Sequence, residues 1–376
     1  MTNDAGRPWA AAVDARNAAT QTAGRWRTLR EFDALGPSGA LAASSGEVTS
    51  FASNDYLGLT AHPSVIAAAH DALDRWGAGS GASRLVTGSR PVHHELEREL
   101  ASWKGSDAAL LFPTGFAANL GVLSTLARPG TRVLSDELNH ASIIDGCRLA
   151  RVEVSVFAHA NVEQVAKMLT DSDGPAVVVT DSVFSMDGDE APIEELATVC
   201  ADAGALLVLD DAHGVFDAGP HDLPGEVVRV GTLSKTLGSL GGFVAASAAI
   251  IDLLINEARP FIFTTAPTPA DSAAALAALR VVRSEEGAAL IERLRSHVER
   301  VAPGNPSPIV PIVIGDERAA VAASAALLEQ GIFVPAIRPP TVAPGTSRLR
   351  LALSAAHSDD DIDRLLAGLE ALDVTP

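Results

Sequence analysis

Between about residues 91 and 246, apolar runs of four to six residues alternate with longer stretches whose hydrophobic positions recur at helical spacing. That rhythm predicts βαβ units around a mainly parallel sheet. The runs predict strands at 107–112, 132–135, 152–157, 176–181, 205–210, 227–232 and 242–246. The pieces between them predict helices at 91–104, 115–127, 140–150, 161–170 and 191–203, several opening at Gly, Asn or Pro as helix starts do. Farther on, 267–299 is Ala-rich with its charges on one face and reads as one long connecting helix. Strand 309–314, helix 316–330, strands near 332–335 and 347–353 and helix 359–372 then form a smaller unit. Residues 1–45 read as a helix followed by a Gly/Pro/Ser-rich linker. The expected class is α/β, with a large doubly wound, mainly parallel sheet domain and a smaller α+β C-terminal domain. Its divisions are 1–50 for the N-terminal helix and linker, 51–265 for the large domain and 266–376 for the small one.

Composition narrows the function. With 47% hydrophobic and 20% charged residues, the 376-residue chain has the make-up of a globular protein, not a disordered one. A formal charge of −19 repels nucleic acid and anionic lipid, so an anionic ligand needs a local pocket. The longest nearly apolar run, around 241–251, stops at Asp252, short of the ~20 residues that cross a bilayer, so no membrane association is expected. No apolar run marks a secretory signal near the N-terminus, and two isolated cysteines, Cys147 and Cys200, suit a reducing cytoplasm. Lysine is scarce: only Lys104, Lys167 and Lys235 could form a Schiff base. None follows the glycine pattern of a P-loop, which excludes that class of nucleotide enzyme.

Ligands of an open parallel sheet sit beyond the carboxyl ends of its strands, and several predicted ends are chemically loaded. LLVLDDAHG (206–214) presents Asp210, Asp211 and His213; VVVTDSVFSMDGD (177–189) presents Asp181 and Ser185; RVLSDELNHAS (132–142) presents His140. DAALLFPTGFAAN (107–119) presents Gly115 and Phe116 at a helix start, and GTLSKTLGSLGG (231–242) places Thr232, Ser234 and Lys235 before a glycine cluster. Taken singly, each has an ordinary explanation: an N-capping Asp, a structural histidine, a solvated lysine. His93 and His94 read as a solvated helix start, GAGSGASRLVTGS (77–89) as a flexible loop, and the cysteines as core. Asp210 and His213 have no further Cys or His nearby, and no metal is expected.

Taken together the set answers one chemical problem. An aldehyde cofactor with a pyridine ring and a phosphate needs a lysine to bind, a carboxylate for its ring nitrogen, a hydrogen-bond partner for its phenolate, a stacking group and helix-terminal donors for phosphate. Lys235, Asp210, His213, His140 and Gly115–Phe116 supply these in turn. Pyridoxal 5'-phosphate is the cofactor they suit.

In order along about residues 51–355, FASNDYLGL (51–59), GSGASRLVTGS (79–89), PTGFAANLG (113–121), NHASIIDG (139–146), DSVFSMDGD (181–189), DDAHG (210–214), TLSKTLG (232–238), RPFIFTTA (259–266) and IRPPTVAPGTSRLRL (337–351) resemble the α-oxoamine synthases. The resemblance implies pyridoxal-phosphate fold type I, a homodimer with shared active sites, and decarboxylative condensation of an amino acid with an acyl thioester. It is nearest to the biotin-pathway branch, which joins L-alanine to a pimeloyl thioester on coenzyme A or a carrier protein. Relatives that use glycine or another acyl-CoA, and a non-catalytic pyridoxal-phosphate-binding protein, are the alternatives. By motif position the resemblance makes Lys235 the Schiff-base lysine, Asp210 the pyridinium partner, His213 the donor to the phenolate and His140 the stacking ring. It implies cofactor contacts for Gly115, Phe116, Ser185 and Thr232, and for Thr265 toward the partner subunit's phosphate. It implies substrate contacts for Asn54, Thr341 and Arg350, and for one of Arg25, Arg27 and Arg30, with Arg27 chosen. The chain departs from the family in having Asp181 where Glu is common, and VFDAGPHDLPG (215–225) where a Gly-rich stretch usually follows.

Overall fold

In the computed structural model, which describes residues 8–42, 44, 46–171, 174–216 and 222–375, the chain opens with α1 (Pro8–Thr22). Three short strands follow, β1 (Phe32–Ala34), β2 (Ser38–Leu41) and β3 (Glu47–Ser50), then α2 (Pro63–Trp76) and α3 (Pro91–Lys104). The large domain continues as β4 (Ala108–Phe112), α4 (Gly115–Leu126), β5 (Arg132–Asp136), α5 (Ala141–Ala150), β6 (Glu153–Phe157), α6 (Val162–Thr170), β7 (Ala176–Asp181) and α7 (Ile193–Asp202). It ends with β8 (Leu206–Asp210), β9 (Val227–Thr232), β10 (Gly242–Ala246), α8 (Ala248–Glu257) and α9 (Arg259–Ile262). Then come α10 (Pro269–Val282), α11 (Glu285–Val301), β11 (Ile309–Gly315), α12 (Glu317–Glu329), β12 (Ile332–Phe333), β13 (Ala336–Ile337), β14 (Ser347–Ala352) and α13 (Asp359–Ala371).

The seven expected strands form one sheet in the order β4-β10-β9-β8-β7-β5-β6, parallel except for β10. Its strands are apolar at successive positions because both faces are covered. Val177, Val179, Val208, Val228 and Val230 pack on one side with α4, α5 and α8, where Cys147 is buried. Val178, Leu207 and Leu209 pack on the other with α6 and α7, where Cys200 is buried. Helices on both faces make the sheet doubly wound, as the alternating pattern predicts. A second sheet, β11-β14-β13, is antiparallel and packs with α11, α12 and α13 in the C-terminal unit.

Four expectations about the fold are corrected. The supposed linker before residue 45 contains the β1–β2 hairpin, whose sheet runs β1-β2-β3-β12 and so stitches the N-terminal segment to the C-terminal unit. Strands this short carry too few residues to show a period. The supposed single helix over 267–299 is two, α10 and α11, because Ser284 is extended and its side chain accepts from Gly287 N–H. Glu285 and Glu286 sit in the first turn it opens, where carboxylates favour a helix start. The Gly-rich stretch 77–89 is pinned: Arg84 forms a buried two-point pair with Glu97 (2.8 and 3.0 Å), and Ser80 Oγ donates to Pro267 O. His93, expected at a solvated helix start, is fully buried, with Nδ1 accepting from Arg90 N–H and Nε2 at 3.0 Å from Pro267 O. Burial lowers its pKa to about 4.

Under the carboxyl edge of the sheet lies a buried charge cluster. Asp211 Oδ2 accepts from Lys104 Nζ and from Arg229 Nη1, each at 2.9 Å, and all three side chains are buried. The two cations hold the Asp211 carboxyl below the usual carboxylate range although burial opposes them. Lys104 is thereby committed to the fold. Alternation along an extended chain turns Asp211 away from Asp210, which suggests that Asp211 tolerates substitution; its environment contradicts that. Asp211→Asn should lower the urea midpoint, with a loss of roughly 3–5 kcal/mol, the range for breaking a buried ion pair from one side.

Candidate active site

Strand register places the acids. β7 and β8 pair in parallel with Asp181 directly opposite Asp210, so both side chains leave the same face at the carboxyl edge. Both are buried. Asp210 Oδ2 accepts from Asn119 Nδ2 at 2.6 Å and Oδ1 accepts from Ala212 N–H at 3.0 Å. Asp181 Oδ2 accepts from His140 N–H at 2.7 Å. Burial first, and the Asp210 charge second, push the Asp181 carboxyl well above the ordinary range.

Lys235 lies in the turn between β9 and β10. Leu233 N–H donates to Gly241 O (3.0 Å), Gly238 N–H to Lys235 O (2.9 Å), and Thr232 Oγ1 to Gly241 O (3.0 Å). Gly238 has φ +55, and a Cβ there would come within 2.5 Å of Thr60 N, so only glycine lets the turn close against residues 59–60. The turn delivers Lys235 Nζ to 2.8 Å from His213 Nε2. Burial lowers the Lys235 pKa to about 8 against the opposing pull of Asp210 and Asp181. Burial, with the Lys235, Arg350 and His140 charges nearby, takes His213 well below its ordinary value and keeps it neutral.

The cleft wall is the start of α4. Thr114 caps the helix by accepting from Ala117 N–H at 3.0 Å, and Gly115 and Phe116 line the opening. A Cβ on Gly115 would sit 3.3 Å from Thr232 Cβ, so a larger residue would crowd the wall. His140 caps α5, with Nδ1 2.7 Å from Ser142 Oγ, and burial lowers its pKa. One cleft thus holds Gly115, Phe116, His140, Asp181, Asp210, His213, Thr232, Ser234 and Lys235.

Other expected site residues lie outside it. Arg350, on β14, is buried, with Nε donating to Ser185 O (2.5 Å) and Nη2 to Asn54 Oδ1 (3.2 Å). It forms no ion pair among the described residues, whereas Arg348 is paired with Asp187. Ser185 is half-buried and meets Arg350 through its carbonyl; Thr265 and Thr341 are exposed. Of the N-terminal arginines, Arg25 pairs with Glu317 (2.7 Å) and Arg30 lies over the Phe333 ring, which leaves exposed Arg27 without an ion pair among the described residues. Of the 215–225 loop, residues 217–221 lie outside the described residues.

Two site residues escaped the sequence reading. Asn119 Nδ2 donates to both Asp210 and Ser142 Oγ (2.9 Å); its place four residues after Gly115, on one helix face, was the available signal. Tyr56, fully buried, stands 2.6 Å from His213 Nδ1, and nothing in its spacing marks it.

The donor set fits pyridoxal 5'-phosphate: a buried amine of lowered pKa, a carboxylate held at the sheet edge, two imidazoles and a helix start with a small-residue entrance. These features define a lysine-anchored pyridoxal-phosphate enzyme of fold type I. The description "Aminotransferase class I and II" matches residues 46–369. The 8-amino-7-oxononanoate synthase of Anaeromyxobacter dehalogenans is 48% identical, with 91% of each chain covered. A variant of serine palmitoyltransferase from S. paucimobilis, solved with a bound PLP–myriocin aldimine, is 30% identical and superposes with a TM-score of 0.88 over 96% of each chain. The 8-amino-7-oxononanoate synthase of Francisella tularensis is 26% identical, with a TM-score of 0.73 over 87% of this chain and 98% of its own. The chain belongs to the class I and II aminotransferase family and, within it, to the group of the 8-amino-7-oxononanoate synthases. Among the described residues no helix is long and apolar enough to cross a membrane.

The burial of Lys235 sets a measurable expectation. In the cofactor-free protein, the rate of labelling at Lys235 by an amine-selective reagent should rise with pH through a midpoint near 8, below the 10.5 of an ordinary lysine. Peptide mapping across a pH series reads it, and a midpoint at the ordinary value would contradict the burial.

Proposed function

We propose that this protein joins L-alanine to a pimeloyl thioester, on coenzyme A or a carrier protein, releasing CO2 and the free thiol and forming 8-amino-7-oxononanoate for biotin biosynthesis. The relatives named above support the particular reaction, and one observation in the site supports an amino-acid substrate: Arg350 is a buried cation with no carboxylate partner among the described residues, close enough for its charge to lower the Lys235 pKa. A substrate carboxylate is the counter-ion that position calls for.

Pyridoxal phosphate supplies an electron sink for negative charge developing at the amino acid Cα. Lys235 holds the cofactor, and its amine, with a pKa of about 8, is suited to remove and return the Cα proton near neutral pH. Asp210, held by Asn119 and Ala212, keeps a proton on the ring nitrogen. His213 donates to the phenolate. His140, its imidazole fixed by Ser142, would stack on the ring and help orient the acyl group. Gly115, Phe116, Ser185 and Thr232 complete the cofactor contacts, and Asn54, Thr341 and Arg350 those to substrate. Arg27 faces the acyl donor; its lack of an ion pair among the described residues supports choosing it over Arg25.

The working unit in this reading is a cytoplasmic homodimer in which Thr265 reaches the partner's cofactor phosphate. Exposed Leu85, Val86 and Phe263 on the segments flanking Thr265 support an apolar contact there. The domain division at residues 50 and 265 is kept for the chemistry, with the β1–β3 strands structurally joined to the C-terminal unit.

Mass analysis of products from alanine and pimeloyl-CoA tests the reaction. Glycine and serine in place of alanine test the amino acid, and a faster reaction with either would reassign the substrate. Borohydride reduction of the loaded enzyme should label Lys235 and neither Lys104 nor Lys167. Arg350→Ala should weaken alanine binding by roughly 1.5–3 kcal/mol, the range for hydrogen bonds to a charged group, while Arg27→Ala raises KM for the thioester alone. Steady-state kinetics with each substrate varied separates the two effects.

A further inference from the structure

A continuous file of polar side chains runs from Arg350 to Lys235. Arg350 Nη2 donates to Asn54 Oδ1 (3.2 Å), and the Tyr56 hydroxyl lies 3.2 Å from the same oxygen and 2.6 Å from His213 Nδ1. His213 Nε2 in turn lies 2.8 Å from Lys235 Nζ. Tyr56 and His213 are both buried, so water does not make up for a lost partner.

The phenol has one proton and two acceptors in reach. With the hydroxyl turned to Asn54, its oxygen accepts from His213 Nδ1–H, and Nε2 presents a lone pair to Lys235, which donates. With the hydroxyl turned to Nδ1, the proton sits on Nε2, which then donates. Asn54 Oδ1 is not orphaned by that turn, because Arg350 Nη2 still donates to it. Each setting therefore satisfies the file for one kind of neighbour at Nε2: the first when that neighbour donates, the second when it accepts. Burial raises the Tyr56 pKa to about 12, so the hydroxyl keeps the proton that makes the choice.

Two chemical situations need the two settings. In the cofactor-free cleft the neighbour of Nε2 is an amine, a donor. Under the function proposed above, on which this inference rests, the neighbour after loading is a phenolate, an acceptor. We propose that Tyr56 is a positioning residue whose hydroxyl turns between Asn54 and His213 Nδ1, and so switches His213 from the Nδ1–H to the Nε2–H tautomer when cofactor joins Lys235. Asn54 and Arg350 make the switch reversible by holding the alternative acceptor in place.

Nitrogen-15 NMR of histidine-labelled protein, with and without pyridoxal phosphate, reads the tautomer directly. The His213 Nε2 signal should move from the unprotonated to the protonated region on loading, with Nδ1 moving the opposite way. Tyr56→Phe keeps the ring and removes the partner of Nδ1–H, so the Nδ1–H fraction of the cofactor-free protein should fall well below that of the wild type and the exchange on loading should shrink with it. An unchanged wild-type tautomer in enzyme whose absorbance and Lys235 adduct mass show loaded cofactor would overturn the switch alone. So would an exchange that persists at full size in Tyr56→Phe; if that variant does not fold, the wild-type pair of spectra still decides. Failure of pyridoxal phosphate to join Lys235 would instead remove the functional reading, and the inference with it.

Discussion

Two carboxyl groups side by side at the edge of a buried sheet are the constraint around which the site is built. The parallel register of β7 with β8 sets Asp181 beside Asp210, and both are removed from water. Burial first, and the like charge of Asp210 second, raise the Asp181 pKa. Asp210 is the better held of the two, by an amide side chain and a backbone N–H, and faces the cleft as a hydrogen-bond acceptor. Lys235 and the two imidazoles then respond to one local field: burial lowers all three pKa values, and the acids oppose this for Lys235.

Adjacent residues answer to opposite sides of the sheet. Asp210 serves the cleft, while Asp211 neutralises cations from α3 and β9 beneath it. Removing either acid leaves buried partners unpaired, but the consequences fall on chemistry in one case and on stability in the other. The same division separates Arg348 from Arg350 on β14. These positions are two apart and share a face of their strand, yet Asp187 claims Arg348 while Arg350 has no carboxylate partner among the described residues.

The small unit is part of the site as well as its neighbour. Arg350 reaches the carbonyl of Ser185 in the loop after β7, and Arg348 reaches Met186 O and Asp187 in the same loop. Ser307 Oγ donates to Gly188 O at 2.6 Å, and a Cβ at Gly188 would come within 2.1 Å of Ile309 O. The loop carrying Ser185 is thus gripped by three side chains from beyond residue 300, those of Ser307, Arg348 and Arg350. Displacing the small unit would disturb the loop beside the cleft even though the cleft lining itself comes from the large domain.

The large sheet was legible because its strands are long apolar runs separated by amphipathic helices, a local property that survives any tertiary context. Lys235, Asp210, His213 and His140 were legible because each follows such a run, where an open parallel sheet presents its ligands. The hairpin at 32–41 and the break at Ser284 were not, since strands of three and four residues show no period and a cap depends on how the chain turns. Asn119, Tyr56 and the commitment of Lys104 to Asp211 rest on pairs 91, 157 and 107 residues apart in sequence. Residue order thus determined which groups stand at strand ends and what chemistry they can offer. Only the tertiary packing decided that Lys104 is committed to Asp211, that Arg350 is buried without an ion pair among the described residues while Arg348 is paired, and which imidazole nitrogen faces the amine, because burial and pairing arise between segments distant along the chain.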